Sequence, residues 1–159
     1  MTRRVVYLSG SIANLTYAQA TEARNQTTEL LLASGWDVLD PMRGKELLST
    51  MAVIDEKHTR EVLGYVNDAA ILERDFDDLR RADALIVLSG DTPTWGTAFE
   101  WSIAHFLMNY KPTVVVCRED SPTRDHPWCR SMCSYFAETV EEAVEFLNRW
   151  FNRGYKLGA

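Results

Sequence analysis

Apolar residues along the chain fall into short continuous runs separated by longer stretches where they recur three or four apart. RVVYLSG, residues 4 to 10, is an unbroken β-rich run closed by Gly10, the pattern of a strand buried on both faces of a parallel sheet. Residues 16 to 34 carry helix formers and stop at Gly35, a natural helix C-cap. WDVLD, 36 to 40, reads as a short strand ended by Pro41. A helix is expected around Lys45 to Met51, followed by an irregular connection. Ile71, Leu72, Phe76 and Leu79 recur at helical spacing over residues 69 to 82. ALIVL (84 to 88) and TVVVC (113 to 117) are further strands, and 97 to 109 and 139 to 152 are helices.

Strictly alternating strands and helices predict a single-domain, doubly wound (flavodoxin- or Rossmann-like) α/β fold spanning residues 1 to 159. It would hold a parallel sheet of about five strands with helices on both faces. Ligands of such sheets bind beyond the carboxyl ends of the strands. That rule selects four loops: Ser9 to Asn14, Asp40 to Gly44, Ser89 to Thr97, and Arg118 to Trp128.

Composition narrows the partners more than the fold. At 159 residues and 46% hydrophobic, the chain is long enough for one core. Acidic residues outnumber basic ones, 23 to 17, and no basic cluster extends beyond two RR pairs, which argues against a nucleic-acid polymer as partner and for a small molecule. The apolar run at the start is too short for a signal peptide core and no run reaches about 18 apolar residues, so a cytoplasmic protein without a membrane span is expected. Cys117, Cys129 and Cys133 are an odd number without an export signal, so buried free thiols are expected rather than disulfides. With His126 they match no common zinc spacing, and no metal or other cofactor is expected.

Glu100 is the most conspicuous candidate for chemistry. It lies among Trp95, Phe99, Trp101 and Phe106, just after a core strand at a ligand-binding edge. Thr97-x-x-Glu100 is also a capping-box pattern, in which the acid would fold back on the helix start. Thr139-x-x-Glu142 repeats that pattern within the acidic run ETVEE, where nothing suggests chemistry. A carboxylate in the first helical turn would be kept ionised by the helix dipole, as suits a nucleophile. A second acid is available in ERDFDDLRRAD: periodicity leaves Asp75 possible on the apolar side and turns Asp77 and Asp78 towards solvent. Ser9, Gly10 and Ser11 offer hydroxyls and N–H groups where anions are received.

Three segments in order, VYLSGSI, ERDFDDLRRAD and GTAFEWSIA, resemble the nucleoside 2-deoxyribosyltransferase family and the related 2'-deoxynucleoside 5'-monophosphate N-hydrolases. With the strands between them they cover about two thirds of the chain; residues 44 to 66 and 118 to 159 carry no matching motif. The resemblance implies that Glu100 attacks the anomeric carbon, that Asp75 handles the nucleobase proton and that Tyr7 hydrogen-bonds the nucleophile. It implies transfer of deoxyribose to another free base, or hydrolysis of a deoxynucleotide. A nucleotide-binding module without turnover is the rival from outside enzymology.

Many transferases of the family have an acid where this chain has Thr94, and a hydroxyl there is closer to the hydrolases. The hydrolases, however, have a basic residue shortly after GSI, where this chain has Ala13. Ser11, Thr94 and the N–H groups of Gly10, Gly96 and Thr97 would face a 5'-phosphate; Met42, Arg43, Trp95 and Trp101 complete the expected pocket. The resemblance further implies a homo-oligomer, for which Trp128, Met132, Tyr135 and Phe136 are the candidate interface residues.

Overall fold

The computed structural model describes residues 3 to 64, 67 to 89 and 93 to 152; the expected ligand loop from Ser89 to Thr97 thus has its residues 90 to 92 outside the described part. Five parallel strands stand in the order β2-β1-β3-β4-β5: β1 (Val5–Gly10), β2 (Asp37–Leu39), β3 (Ala84–Leu88), β4 (Thr113–Val116) and β5 (Tyr135–Ala137). This is the flavodoxin-like doubly wound order. The main helices are α1 (Tyr17–Ala33), α2 (Glu56–Leu63), α3 (Asp68–Arg81), α4 (Trp95–Phe106), α5 (Pro122–Asp125), α6 (Pro127–Met132) and α7 (Val140–Asn152), with a 3₁₀ turn at Glu46–Thr50.

Alternation of side chains along each strand divides the core into two layers. Tyr7, Leu85, Val87 and Val115 point to one face, where Leu79 of α3, Trp101 and Ala104 of α4, and Cys129 and Met132 of α6 cover them. Val6, Leu8, Ile86 and Val114 point to the other, under Leu31 of α1 and Ala143, Val144 and Leu147 of α7. A smaller apolar cluster of Ala20, Met42, Leu48, Ile54 and Leu63 joins α1 to the segment after β2 and seats the 3₁₀ turn and α2.

β5, α2, α5 and α6 were not among the expected elements. They are too short to show a period, and two of the helices open with proline. β5 also accounts for residues assigned above to an interface. Met132 is buried in the core and Phe136 packs against the same cluster, while Tyr135 stacks on Phe146 with ring centroids 4.7 Å apart. Trp128 is largely exposed and Tyr135 about one-third exposed. Among the described residues no helix is long and apolar enough to cross a membrane.

Candidate active site

Tyr7 and Ser9 are two apart on β1, so both side chains leave the sheet on the face covered by α4. There they meet Glu100. The Tyr7 hydroxyl donates to Glu100 Oε1 at 2.7 Å and the Ser9 hydroxyl donates to Oε2 at 2.5 Å. Both carboxylate oxygens are thus held by O–H donors from one strand.

The helix that carries Glu100 begins earlier than its sequence pattern suggests. Thr94 is the N-cap: its hydroxyl accepts from the Thr97 N–H at 3.5 Å and lies 3.0 Å from the Thr97 hydroxyl. Thr97 is therefore inside the first turn and Glu100 in the second, so the capping-box geometry does not form and the dipole argument fails with it. Burial instead pushes the Glu100 carboxyl above the usual glutamate range. The Ser9 and Tyr7 hydrogen bonds and Arg24 oppose that shift, while Asp75 adds to it. Burial, then the negative charges of Glu100 and Asp75, push the Tyr7 phenol well up, so it stays a proton donor to the carboxylate.

A cavity of about 920 Å³ opens over Glu100 beyond the carboxyl ends of β1 to β4. Gly10 contributes from β1, Thr94, Gly96 and Thr97 from the start of α4, and Asp75 from α3. Asp75 is largely buried and takes two hydrogen bonds from its neighbour Arg74, whose guanidinium also donates to the Pro41 carbonyl at 2.9 Å. Arg74 thereby fixes the loop after β2 against α3.

Several expected pocket residues lie elsewhere. Trp101 is fully buried on the core side of α4, where its indole N–H donates to the Met132 carbonyl. Met42 belongs to the apolar cluster that joins α1 to the segment after β2. Ser11 does not line the cavity; its carbonyl is bound by Arg24 at 3.2 Å. The Thr97 N–H is occupied by Thr94. Arg43 turns away to Asp78, at 2.6 Å, and this overturns the solvent-facing placement of Asp78: the carboxylate is buried because a cation from the neighbouring loop reaches it. Asp77 is about half exposed, as its helical position predicts.

Two cations escaped the sequence reading. Arg24, on the buried stripe Ala20, Arg24, Thr27, Leu31 of α1, donates to the carbonyls of Gly10 at 2.7 Å and Ala20 at 2.5 Å and lies 3.4 Å from Asp40. A Cβ on Gly10 would stand 3.2 Å from the Arg24 guanidinium and 2.9 Å from the Leu88 carbonyl, so the strand end must be glycine for this clamp to close. A charged residue on an otherwise inward stripe was the available signal for Arg24. Lys45, which follows Gly44 at φ 75°, lines the cavity and had no such signal. Thr123, His126 and Cys129 form the far wall, after β4. Cys117, Cys129 and Cys133 are free thiols, and among the described residues no group of three or more His, Cys, Asp or Glu is placed to hold a metal.

Solved structures with a similar fold include a CMP N-glycosidase from Clostridium botulinum, 15% identical, with a TM-score of 0.59 over 92% of this chain and 99% of that one. The chain shares their fold. A 2-desoxiribosyltransferase from Leishmania mexicana is 19% identical, TM-score 0.53, over 77% of this chain and 69% of that chain. A molybdenum cofactor binding protein from the phototrophic bacterium Rippkaea orientalis is 16% identical, TM-score 0.62, over 95% and 99%. No family model and no curated protein matches the sequence. At these identities the likeness establishes the architecture, and function has to be argued from the site.

Proposed function

We propose that this chain cleaves the N-glycosidic bond of 2'-deoxynucleosides through a covalent deoxyribosyl-Glu100 intermediate and passes the sugar to another nucleobase. The observation that carries this reading is the Glu100 carboxylate, gripped by Tyr7 and Ser9 at the base of a cavity with room for a nucleoside and with Asp75 on its wall. Breaking a C1'–N bond builds positive charge on the sugar and negative charge on the base. Glu100 forms the new C1'–O bond as the electron pair of the old one leaves with the base, and Asp75 manages the base proton. The two O–H donors hold the attacking carboxylate in one orientation. They also recover its charge when the sugar leaves again, to a second base or to water, with net retention of configuration.

Hydrolysis of a deoxynucleoside 5'-monophosphate is the second reading. Thr94 favours it, because a hydroxyl at the β3 side of the cavity admits a phosphate that a carboxylate would repel. Both readings take residues 1 to 159 as one domain, need no metal or organic cofactor, and expect a homo-oligomer, which sedimentation tests. A non-catalytic nucleotide-binding module on the same fold is the third.

One incubation separates all three: a deoxynucleoside, or its 5'-monophosphate, with a different free base as acceptor, followed by mass spectrometry. A new nucleoside supports transfer, and deoxyribose 5-phosphate supports hydrolysis. Release of no base from any substrate removes both enzymatic readings. Brief acid quench should recover Glu100 carrying the sugar mass, and a turnover without any such adduct would point to direct displacement by water.

A further inference from the structure

Lys45 is a buried cation with nothing assigned to it. It is 8% exposed, it lines the cavity, and among the described residues its ammonium has neither an ion pair nor a hydrogen bond. Burial lowers its pKa, and Asp75 is the strongest charge acting to keep it protonated. An unpaired ammonium in such a place is costly unless a ligand completes it.

Sheet order says which part of a ligand that is. Glu100 is bonded to two β1 side chains, so the carbon it attacks lies over β1. Lys45 follows β2, on one side of β1; Thr94 precedes α4 after β3, and Thr123 and His126 follow β4, on the other side. With strands about 4.8 Å apart, β2 and β4 are separated by about 14 Å across three intervals. A nucleoside centred over β1 therefore sends its two ends in opposite directions. Asp75 lies on the Lys45 side: Arg74, which donates to its carboxylate, also donates to the Pro41 and Arg43 carbonyls of the loop after β2.

We propose that Lys45 receives the leaving nucleobase, donating a hydrogen bond to a ring nitrogen or carbonyl acceptor of the base and balancing the negative charge the base gains as it departs. This rests on the N-glycosidic reading above. In that step the C1'–N electron pair moves to the base, the C1'–O bond to Glu100 forms, and Lys45 keeps its protons. Its contribution is largest in the transition state, because the charge it faces is largest there.

The effect is readable as a dependence on leaving-group acidity. Base release is measured in single turnovers for wild type, Lys45→Met and Lys45→Arg, on deoxynucleosides and their 5'-monophosphates whose bases differ in acidity. Lys45→Met should lose on the order of 10²-fold with the least acidic base and little with the most acidic, and Lys45→Arg should recover part of the loss. Lys45→Met should also melt no lower than wild type, since it removes a buried charge that has no ion pair among the described residues.

An equal loss for every base would overturn the inference, as would a loss confined to the 5'-phosphorylated substrates, which would place a phosphate at Lys45. A lower melting temperature in Lys45→Met would make the ammonium a structural contact and overturn it too. Wild type that releases no base at all sinks the proposed function and this inference together, whereas a flat Lys45→Met profile sinks the inference alone.

Discussion

Thr97-x-x-Glu100 and Thr139-x-x-Glu142 are the same four-residue pattern at the start of two helices, and the fold uses them in opposite ways. At the second, the Glu142 N–H donates to the Thr139 hydroxyl at 3.2 Å, and the Glu142 carboxylate bends back to take the Glu138 N–H at 2.9 Å. That acid finishes its own helix. At the first, the cap is Thr94, and the extra turn carries Glu100 away from the helix start and over β1. Its oxygens are then taken by side chains 91 and 93 residues away. A local motif predicts local hydrogen bonds only when the helix starts where the motif says it does.

Substitution at the two glutamates should break the comparison most sharply. Glu100→Ala should lower base release by at least about 10³-fold, because the nucleophile is lost, while Glu142→Ala leaves it unchanged; both rates come from one chromatographic assay. Equal activities would return Glu100 to a structural role. Next in size, Tyr7→Phe and Ser9→Ala should each cost about 10- to 100-fold, since each leaves one carboxylate oxygen without its donor.

Stability should separate the two acids by the sign of the change on substitution. The Glu100 carboxyl is raised in the folded state, so the folded chain binds the proton more tightly than the unfolded one. Stability therefore falls as pH rises from the ordinary glutamate value to the raised one. Glu100→Gln should accordingly melt higher than wild type at neutral pH, with the gain vanishing once the medium is acid enough to protonate the unfolded glutamate. A constant gain at all pH values would assign the effect to something other than that ionisation. The smallest expected effect is at the other helix. Glu142→Ala should cost about 0.5 to 1 kcal/mol, or about 1 to 4 °C in melting temperature, by calorimetry, as loss of a cap does.

Legibility followed the range of the interactions involved. β1, β3 and β4 were readable because burial on both faces demands unbroken apolar runs, and α3 because one face alone is covered. The three-residue β5 was not, since Tyr135 is exposed, Phe136 half-buried and only Ala137 fully buried. Asp75 could be placed on the inward side by its period. Asp78 could not, because its burial depends on Arg43, a residue 35 positions earlier in the chain. Trp101 looked like a pocket residue by proximity to Glu100, yet neighbours one apart on a helix face different ways.

What the chain order determined by itself was the succession of strands and helices, the edge at which a ligand would sit, and the acids and the phenol available there. These follow from hydrophobic period and residue chemistry, which are local properties. Tertiary structure alone decided that Glu100 is held by Tyr7 and Ser9, that Arg24 clamps Gly10, and that Lys45 lines the cavity with no ion pair among the described residues. Each is a contact or an exclusion between segments far apart in sequence, and the free energy of a buried charge depends on what the whole fold places around it.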